Sequence, residues 1–277
     1  MGTSNIFVNA MKTYQQLMPD LRSRRQRKSP VSSRTRVAAN ANTVGKLLSP
    51  LQSLPEQSLL LGQCADGLPF LLGLGDPEMG AVLIGCEEGC GKTHQLQVMV
   101  DSAIRTNAPH SLQISILTTN PQEWAYLRED QGHKKFLRGI NAWYDGRAAE
   151  IIQELTELAE ARRQGQRLGA QVLFIMDDLN FVEELSYEAQ VNLHWLLAYG
   201  SQSDIWLVGS LNADHASGYK YWIERFRTRI VGSVGSQEAA EILAMREGSQ
   251  VYGLLPGEFK VHTGTDWLTY RLPLLGD

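Results

Sequence analysis

Nine consecutive residues, Gly85-Cys86-Glu87-Glu88-Gly89-Cys90-Gly91-Lys92-Thr93, place glycines, a lysine and a hydroxyl in the order that phosphate binding requires. A loop wrapped round a triphosphate turns its backbone N–H groups inward, which Gly89 and Gly91 permit because glycine accepts positive φ. Lys92 would then reach the β- and γ-phosphates of ATP, and the Thr93 hydroxyl would ligate Mg²⁺. A helix beginning at Lys92-Thr93-His94 would present its positive end to the anion. The strict pattern has glycine at position 86, whereas this chain has Cys86 there and Gly85 one place early. Glu87 and Glu88 would repel an anion if they faced inward, so the expectation is that they face outward.

A second constellation lies about 85 residues on. Val172-Leu173-Phe174-Ile175-Met176 runs into Asp177-Asp178, an apolar strand that delivers two carboxylates at its C-terminal end, where doubly wound sheets bind ligands. Asp177 would hold the magnesium, directly or through water, and Asp178 would orient or deprotonate the attacking water. Paired acids after a strand are also what a helix N-cap and first turn look like, and Asp178 and Asn180 fit that equally. Asp178 is one methylene shorter than the glutamate that commonly serves here, which leaves hydrolysis slow or the water held by another group.

These residues need a scaffold that brings strand ends together. Ala81 to Ile84 reads as a buried strand entering the loop, and Lys92 to Arg105 as a helix leaving it. Further apolar strands are expected at Leu112 to Leu117, Val172 to Met176, Ile205 to Val208 and Arg229 to Gly232. Helical segments fall near Gly146 to Arg163, Tyr187 to Leu197 and Ser236 to Met245. This alternation predicts an α/β, RecA-like fold, a mainly parallel sheet with helices on both faces. Flanking hairpins are expected around Asp66-Gly67 and around Thr263-Gly264-Thr265.

Of the 277 residues, 43% are hydrophobic and 20% charged, enough for one substantial core. No apolar run reaches the eighteen or so residues of a membrane helix, and no secretory signal is evident, so a cytoplasmic protein without a membrane partner is expected. Three cysteines fit a reducing compartment. Residues 1–50 hold nine Lys or Arg against one acid, +8, leaving 17 basic and 29 acidic residues, −12, in the remainder. We read residues 1–55 as a basic, partly disordered arm and 56–277 as the folded domain. A basic arm on an acidic body fits a polyanion partner such as double-stranded DNA, and equally a solvated tail.

The order of segments over about residues 58–272 resembles the motor domain of the FtsK-HerA superfamily, the ring-forming ATPases that include FtsK and conjugative coupling proteins. Gly80-Ala81-Val82-Leu83-Ile84 is similar to the family's lead-in to its nucleotide loop, and Asn120-Pro121 stands where the family has Asp-Pro-Lys. Ile205 to Asn212 resembles the strand ending in a polar sensor, which would put Asn212 near the γ-phosphate. Phe226-Arg227-Thr228-Arg229-Ile230 resembles the Thr-Arg-Ile segment, and Leu254 to Phe259 the Leu-Leu-Gly-x-Gly-Asp-x element. The resemblance implies a homo-oligomeric ring with Arg229 as an arginine finger across a subunit interface; a structural ion pair is the other reading of Arg229. It also implies action on duplex DNA. The departures at Cys86 and Asp178 keep open a nucleotide-switched module that binds a protein partner with weak or no hydrolysis.

Cys86 and Cys90 lack a second ligand pair, and the six histidines show no ligand spacing, so neither set reads as a metal site. Tyr219, Tyr221, Trp222 and Phe226 have the helical spacing of a core face.

Overall fold

The computed structural model describes residues 42–51, 57–74, 79–166, 169–246, 251–263 and 266–277. Most of the basic segment, through residue 41, lies outside the described residues, as do Gly264 and Thr265 of the last expected turn.

Ten strands form one sheet. In chain order they are β1 (Ser58–Cys64), β2 (Pro69–Gly73), β3 (Val82–Cys86), β4 (Leu112–Thr118), β5 (Leu137–Ala142), β6 (Gln171–Met176), β7 (Ile205–Asn212), β8 (Thr228–Val231), β9 (Glu258–His262) and β10 (Trp267–Arg271). Their spatial order is β2-β1-β10-β9-β8-β3-β7-β6-β4-β5. The six strands from β8 to β5 are parallel. The β9–β10 and β1–β2 hairpins extend them antiparallel beyond β8. The expected mainly parallel α/β sheet with flanking hairpins is what forms.

The parallel strands are apolar almost throughout because both faces are covered. On one face α2 (Lys92–Thr106) lays Leu96, Met99, Val100 and Ala103 over Val82, Ile84 and Val208, and Trp124 and Leu127 complete the layer. On the other, α4 (Arg147–Arg163), α5 (Tyr187–Tyr199) and α7 (Gln237–Ala244) cover Leu83, Phe174 and Leu207. Two short helices, α3 (Tyr126–Glu129) and α6 (Lys220–Ile223), lie in the connections. Asp66-Gly67 makes the predicted first turn, with Gly67 at φ 88° and Asp66 accepting from Leu68 N–H at 3.0 Å.

Two elements differ from the sequence reading. Within the segment read as arm, α1 (Val44–Leu48) buries Val44, Leu47 and Leu48 against Leu60 and Val98, so the packed body includes residues ahead of 56. Its entry is fixed by a parallel bridge from Thr43 to Leu274 and by Val44 N–H donating to Leu274 O at 2.9 Å. The edge strand β5 falls in a stretch for which the sequence predicted no element. It alternates half-exposed and buried positions and contains Gly139, a weak strand signature.

Candidate functional site

Parallel pairing brings the C-terminal ends of β3, β7, β6 and β4 to one edge. Cys86 lies opposite Asn212, Met176 opposite Gly209, and Leu117 opposite Met176. The loop after β3 and the acids after β6 therefore meet, although 84 residues separate Thr93 from Asp177.

The loop has the predicted backbone. Gly89 and Gly91 sit at φ 75° and 107°, and Gly91 caps α2 with no side-chain hydrogen bond, leaving the helix's first N–H groups for an anion. Lys92 Nζ donates to Cys86 O at 3.1 Å and Glu87 O at 2.8 Å, so the lysine is held inside the loop by its carbonyls. The loop is also gripped from outside, since Glu87 N–H donates to Ser233 O at 3.0 Å and Gly257 N–H donates to Cys90 O at 3.1 Å. A side chain at Gly85 would run into Leu243, which would have to shift.

Cys86 closes β3 with its side chain fully buried in the core beside Phe259 and Gly232. This explains how the loop forms without the motif glycine. Burial pushes the Cys86 thiol up to about 12, which leaves it protonated and unreactive, with Cys90 next to it also buried. The Glu87 carboxylate lies against Gly235 and Glu88 is exposed. The His94 ring is held at 2.8 Å from Pro273 O, which ties it to the C-terminal segment.

Asp177 is the centre of the acidic end, with only 4% of its surface exposed. Thr93 Oγ1 donates to its carboxylate at 3.1 Å, Ser210 Oγ at 2.9 Å and Thr118 Oγ1 at 3.3 Å, while Trp143 Nε1 donates to its carbonyl at 2.9 Å. Burial raises its pKa; the bonds from Ser210 and Thr93 oppose this, and the charges of Glu123 and Asp178 add to it. A buried carboxylate facing a threonine hydroxyl, with its charge disfavoured, fits a divalent cation: Thr93 and Asp177 would hold Mg²⁺, which supplies charge neutralisation for a polyphosphate. Among the described residues no cluster of three or more His, Cys, Asp or Glu forms another metal site.

Asp178 takes the cap geometry. It sits at φ 70°, ψ 85°, its N–H donates to Ser210 Oγ at 2.8 Å, and its Oδ1 accepts from Asn180 N–H at 3.3 Å ahead of the 3₁₀ turn Leu179–Glu184. Asn212 lies beside the loop at the end of β7, its side-chain oxygen accepting from Asp214 N–H at 3.3 Å. Arg229 is not brought to this edge. It pairs in register with Leu83, three residues before Cys86, and its Nε donates to Ile223 O at 3.4 Å. Burial, then the nearby Arg246, lower its pKa. In the aromatic group, Trp222 and Phe226 are core residues, Tyr219 donates to Asn180 O at 2.5 Å, and Tyr221 is 55% exposed.

Thr118, Ser210 and Trp143 were not singled out in the sequence. They come from three separate strand ends, and only the sheet order joins them.

No protein-family model matches the sequence, and no curated protein matches it. Solved structures do. ATPases 2 and 3 of Thermomonospora curvata EccC, solved with a signal sequence peptide, match with a TM-score of 0.68 at 16% identity, covering 90% of this chain and 46% of that one. ATPases 2 and 3 of EssC from Geobacillus thermodenitrificans give 0.67 at 16%, covering 89% and 48%. The monomer form of the pCW3 conjugation coupling protein TcpA with ATPγS gives 0.58 at 13%, covering 95% and 81%. The chain thus spans less than half of the first two. These likenesses show the fold alone, which the chain shares with the ATPase domains of EccC and EssC and with TcpA. Among the described residues no helix is long and apolar enough to cross a membrane.

Proposed function

We propose that the chain is an ATP-hydrolysing motor of the FtsK-HerA type, working as an oligomer on double-stranded DNA. One observation carries the nucleotide reading: the Thr93 hydroxyl lies 3.1 Å from the buried carboxylate of Asp177, beside a glycine loop that already encloses Lys92. ATP would draw Lys92 from the loop carbonyls to its β- and γ-phosphates, and the N–H groups of Gly89, Cys90 and Gly91 and of the first turn of α2, with Thr93 and His94, would receive the phosphate oxygens. Glu87, Glu88, Gly85 and Cys86 shape the loop without contributing side chains to the phosphate.

Asn212, which pairs in register with Cys86, would sense the terminal phosphate. Arg229 lies too far down β8 to serve its own cradle, so its catalytic role is in trans, toward a neighbouring subunit of a ring. The +8 charge of residues 1–50 supports the DNA reading through counterion release. A second reading, a nucleotide-switched module for a protein partner, is favoured by Asp178, whose side chain serves as a turn cap.

Steady-state ATP hydrolysis, measured with and without Mg²⁺ and with and without duplex DNA, alongside particle size in ATP, tests the proposal. The motor reading expects Mg²⁺-dependent turnover stimulated by DNA, abolished in Lys92→Ala, and larger particles in ATP. Turnover indifferent to DNA with ATP-dependent binding to a protein would favour the switch. No nucleotide binding at all would overturn both.

A further inference from the structure

The carboxylate expected to manage the attacking water, Asp178, is engaged elsewhere. Its Oδ1 caps the turn that begins at Leu179, its N–H is fixed to Ser210 Oγ, and its left-handed backbone is held in place by both bonds. Turning this side chain toward a nucleotide would break the cap.

Another carboxylate stands at the same sheet edge. Glu123 lies in the 3₁₀ turn Pro121–Trp124, immediately after β4, the neighbour of β6. A continuous path of hydrogen bonds joins it to Asp177. Thr118 Oγ1 donates to Asp177 Oδ2 at 3.3 Å, Asn120 N–H donates to Thr118 Oγ1 at 3.1 Å, and Asn120 Nδ2 donates to Glu123 Oε1 at 3.2 Å. From the other side Gln97, on the helix that starts at the cradle, donates Nε2 to Glu123 O at 2.8 Å. Trp124, fully buried in the core, anchors the turn. The Glu123 main chain is thereby fixed between α2 and β4, while its carboxylate remains exposed to water.

We propose that Glu123 is the carboxylate that activates the attacking water in ATP hydrolysis, held in place by Asn120. The assignment rests on the ATPase reading above. The water oxygen forms its bond to the γ-phosphorus as the bond from that phosphorus to the β,γ-bridging oxygen breaks. The electron pair leaves with ADP, and the proton of the water passes to Glu123, which returns it to solvent. A glutamate on a rigid turn supplies the reach that Asp178 lacks.

The test compares wild type with Glu123→Gln, Glu123→Asp, Asp178→Asn and Lys92→Ala. It reads kcat and KM for ATP, affinity for a fluorescent ATP analogue, and the rise in Tm with Mg²⁺-ATP. Glu123→Gln should lose roughly 100-fold or more in kcat, in the range removed with a general base. Its analogue affinity and its Tm rise should stay close to wild type, and Glu123→Asp should recover part of the loss. An active Glu123→Gln enzyme, or a 100-fold kcat loss confined to Asp178→Asn, would overturn the assignment while leaving the ATPase reading intact. A wild type that turns over no faster than Lys92→Ala would sink the ATPase reading and the assignment with it. A Glu123→Gln protein that loses nucleotide affinity in step with kcat would assign Glu123 to binding and also refute the proposal.

Discussion

The Thr93 hydroxyl donates to Asp177 across 3.1 Å, and these two residues come from opposite ends of the site's sequence, the start of α2 and the end of β6. The contact exists because β7 lies between β3 and β6, with Ser210 bridging toward the same carboxylate at 2.9 Å. A cation placed between hydroxyl and carboxylate would replace a hydrogen bond with two coordination bonds and leave the scaffold unmoved.

Asp177→Asn should separate stability from binding. Burial raises the Asp177 pKa, so the folded state favours the protonated acid. The stability that this group contributes is complete below the ordinary carboxylate pKa of about 3.9 and is lost as pH rises through the raised folded value. Asparagine removes the carboxylate whose charged form burial disfavours. Thermal melting should show an unchanged or higher Tm for the variant without nucleotide, with a smaller gain in Tm on lowering the pH than in wild type. The stabilisation by Mg²⁺-ATP, about 2.7 kcal/mol at a hundredfold excess over Kd in a competent site, should disappear.

Restoring the motif glycine should not improve the protein. Cys86→Gly removes a buried side chain beside Phe259 and places a flexible residue in a central strand. Denaturant unfolding should show a loss of roughly 1–2 kcal/mol. Affinity for ATP should remain within about threefold, because the Cys86 side chain lies in the core; a large gain in affinity would contradict that placement.

Trp143→Phe deletes the indole N–H that holds the Asp177 carbonyl at 2.9 Å while keeping most of the buried ring. Leaving that carbonyl without its partner should cost about 1–2 kcal/mol. ATP turnover should fall with it, since the same peptide unit positions Asp177. Unfolding and hydrolysis assays on one preparation check both outcomes.

Arg229→Ala tests the trans role. Among the described residues its side chain makes one long hydrogen bond, to Ile223 O at 3.4 Å, so the fold should tolerate the change. Turnover should drop at least tenfold with analogue binding preserved, in line with the contribution of an arginine finger. Mixing Arg229→Ala with Lys92→Ala subunits should restore part of the activity, because a mixed ring contains interfaces carrying both intact groups. No recovery on mixing would return Arg229 to a structural role.

The nucleotide loop and the strand before Asp177 were legible in the sequence because their signals are local. Gly89, Gly91, Lys92 and Thr93 specify a backbone path within five residues, and a five-residue apolar run ending in acids matches a buried strand reaching an edge. The sequence left Asp178 open between water activation and capping, and local hydrogen bonding to Asn180 places its side chain in the cap. The shell around Asp177 was invisible for the opposite reason: Thr118, Trp143 and Ser210 are ordinary residues until the order β7-β6-β4-β5 makes them neighbours. Edge strand β5 escaped because one flank lacks a partner and its alternation is diluted by Arg138 and Gly139. Helix α1 escaped because only five residues carry its pattern, inside a stretch dominated by charge and small side chains.

The C-terminal segment joins places that are far apart along the chain. Thr43 bridges to Leu274, Pro273 accepts from or faces the His94 ring one residue past Thr93, and Gly257 holds both Leu272 and Cys90. The entry to α1 is thus tied, through one short segment, to Cys90 within the phosphate loop and to His94 just past its end. In the proposed ATPase, the approach to α1 and the grip on nucleotide would share this one segment within a single subunit.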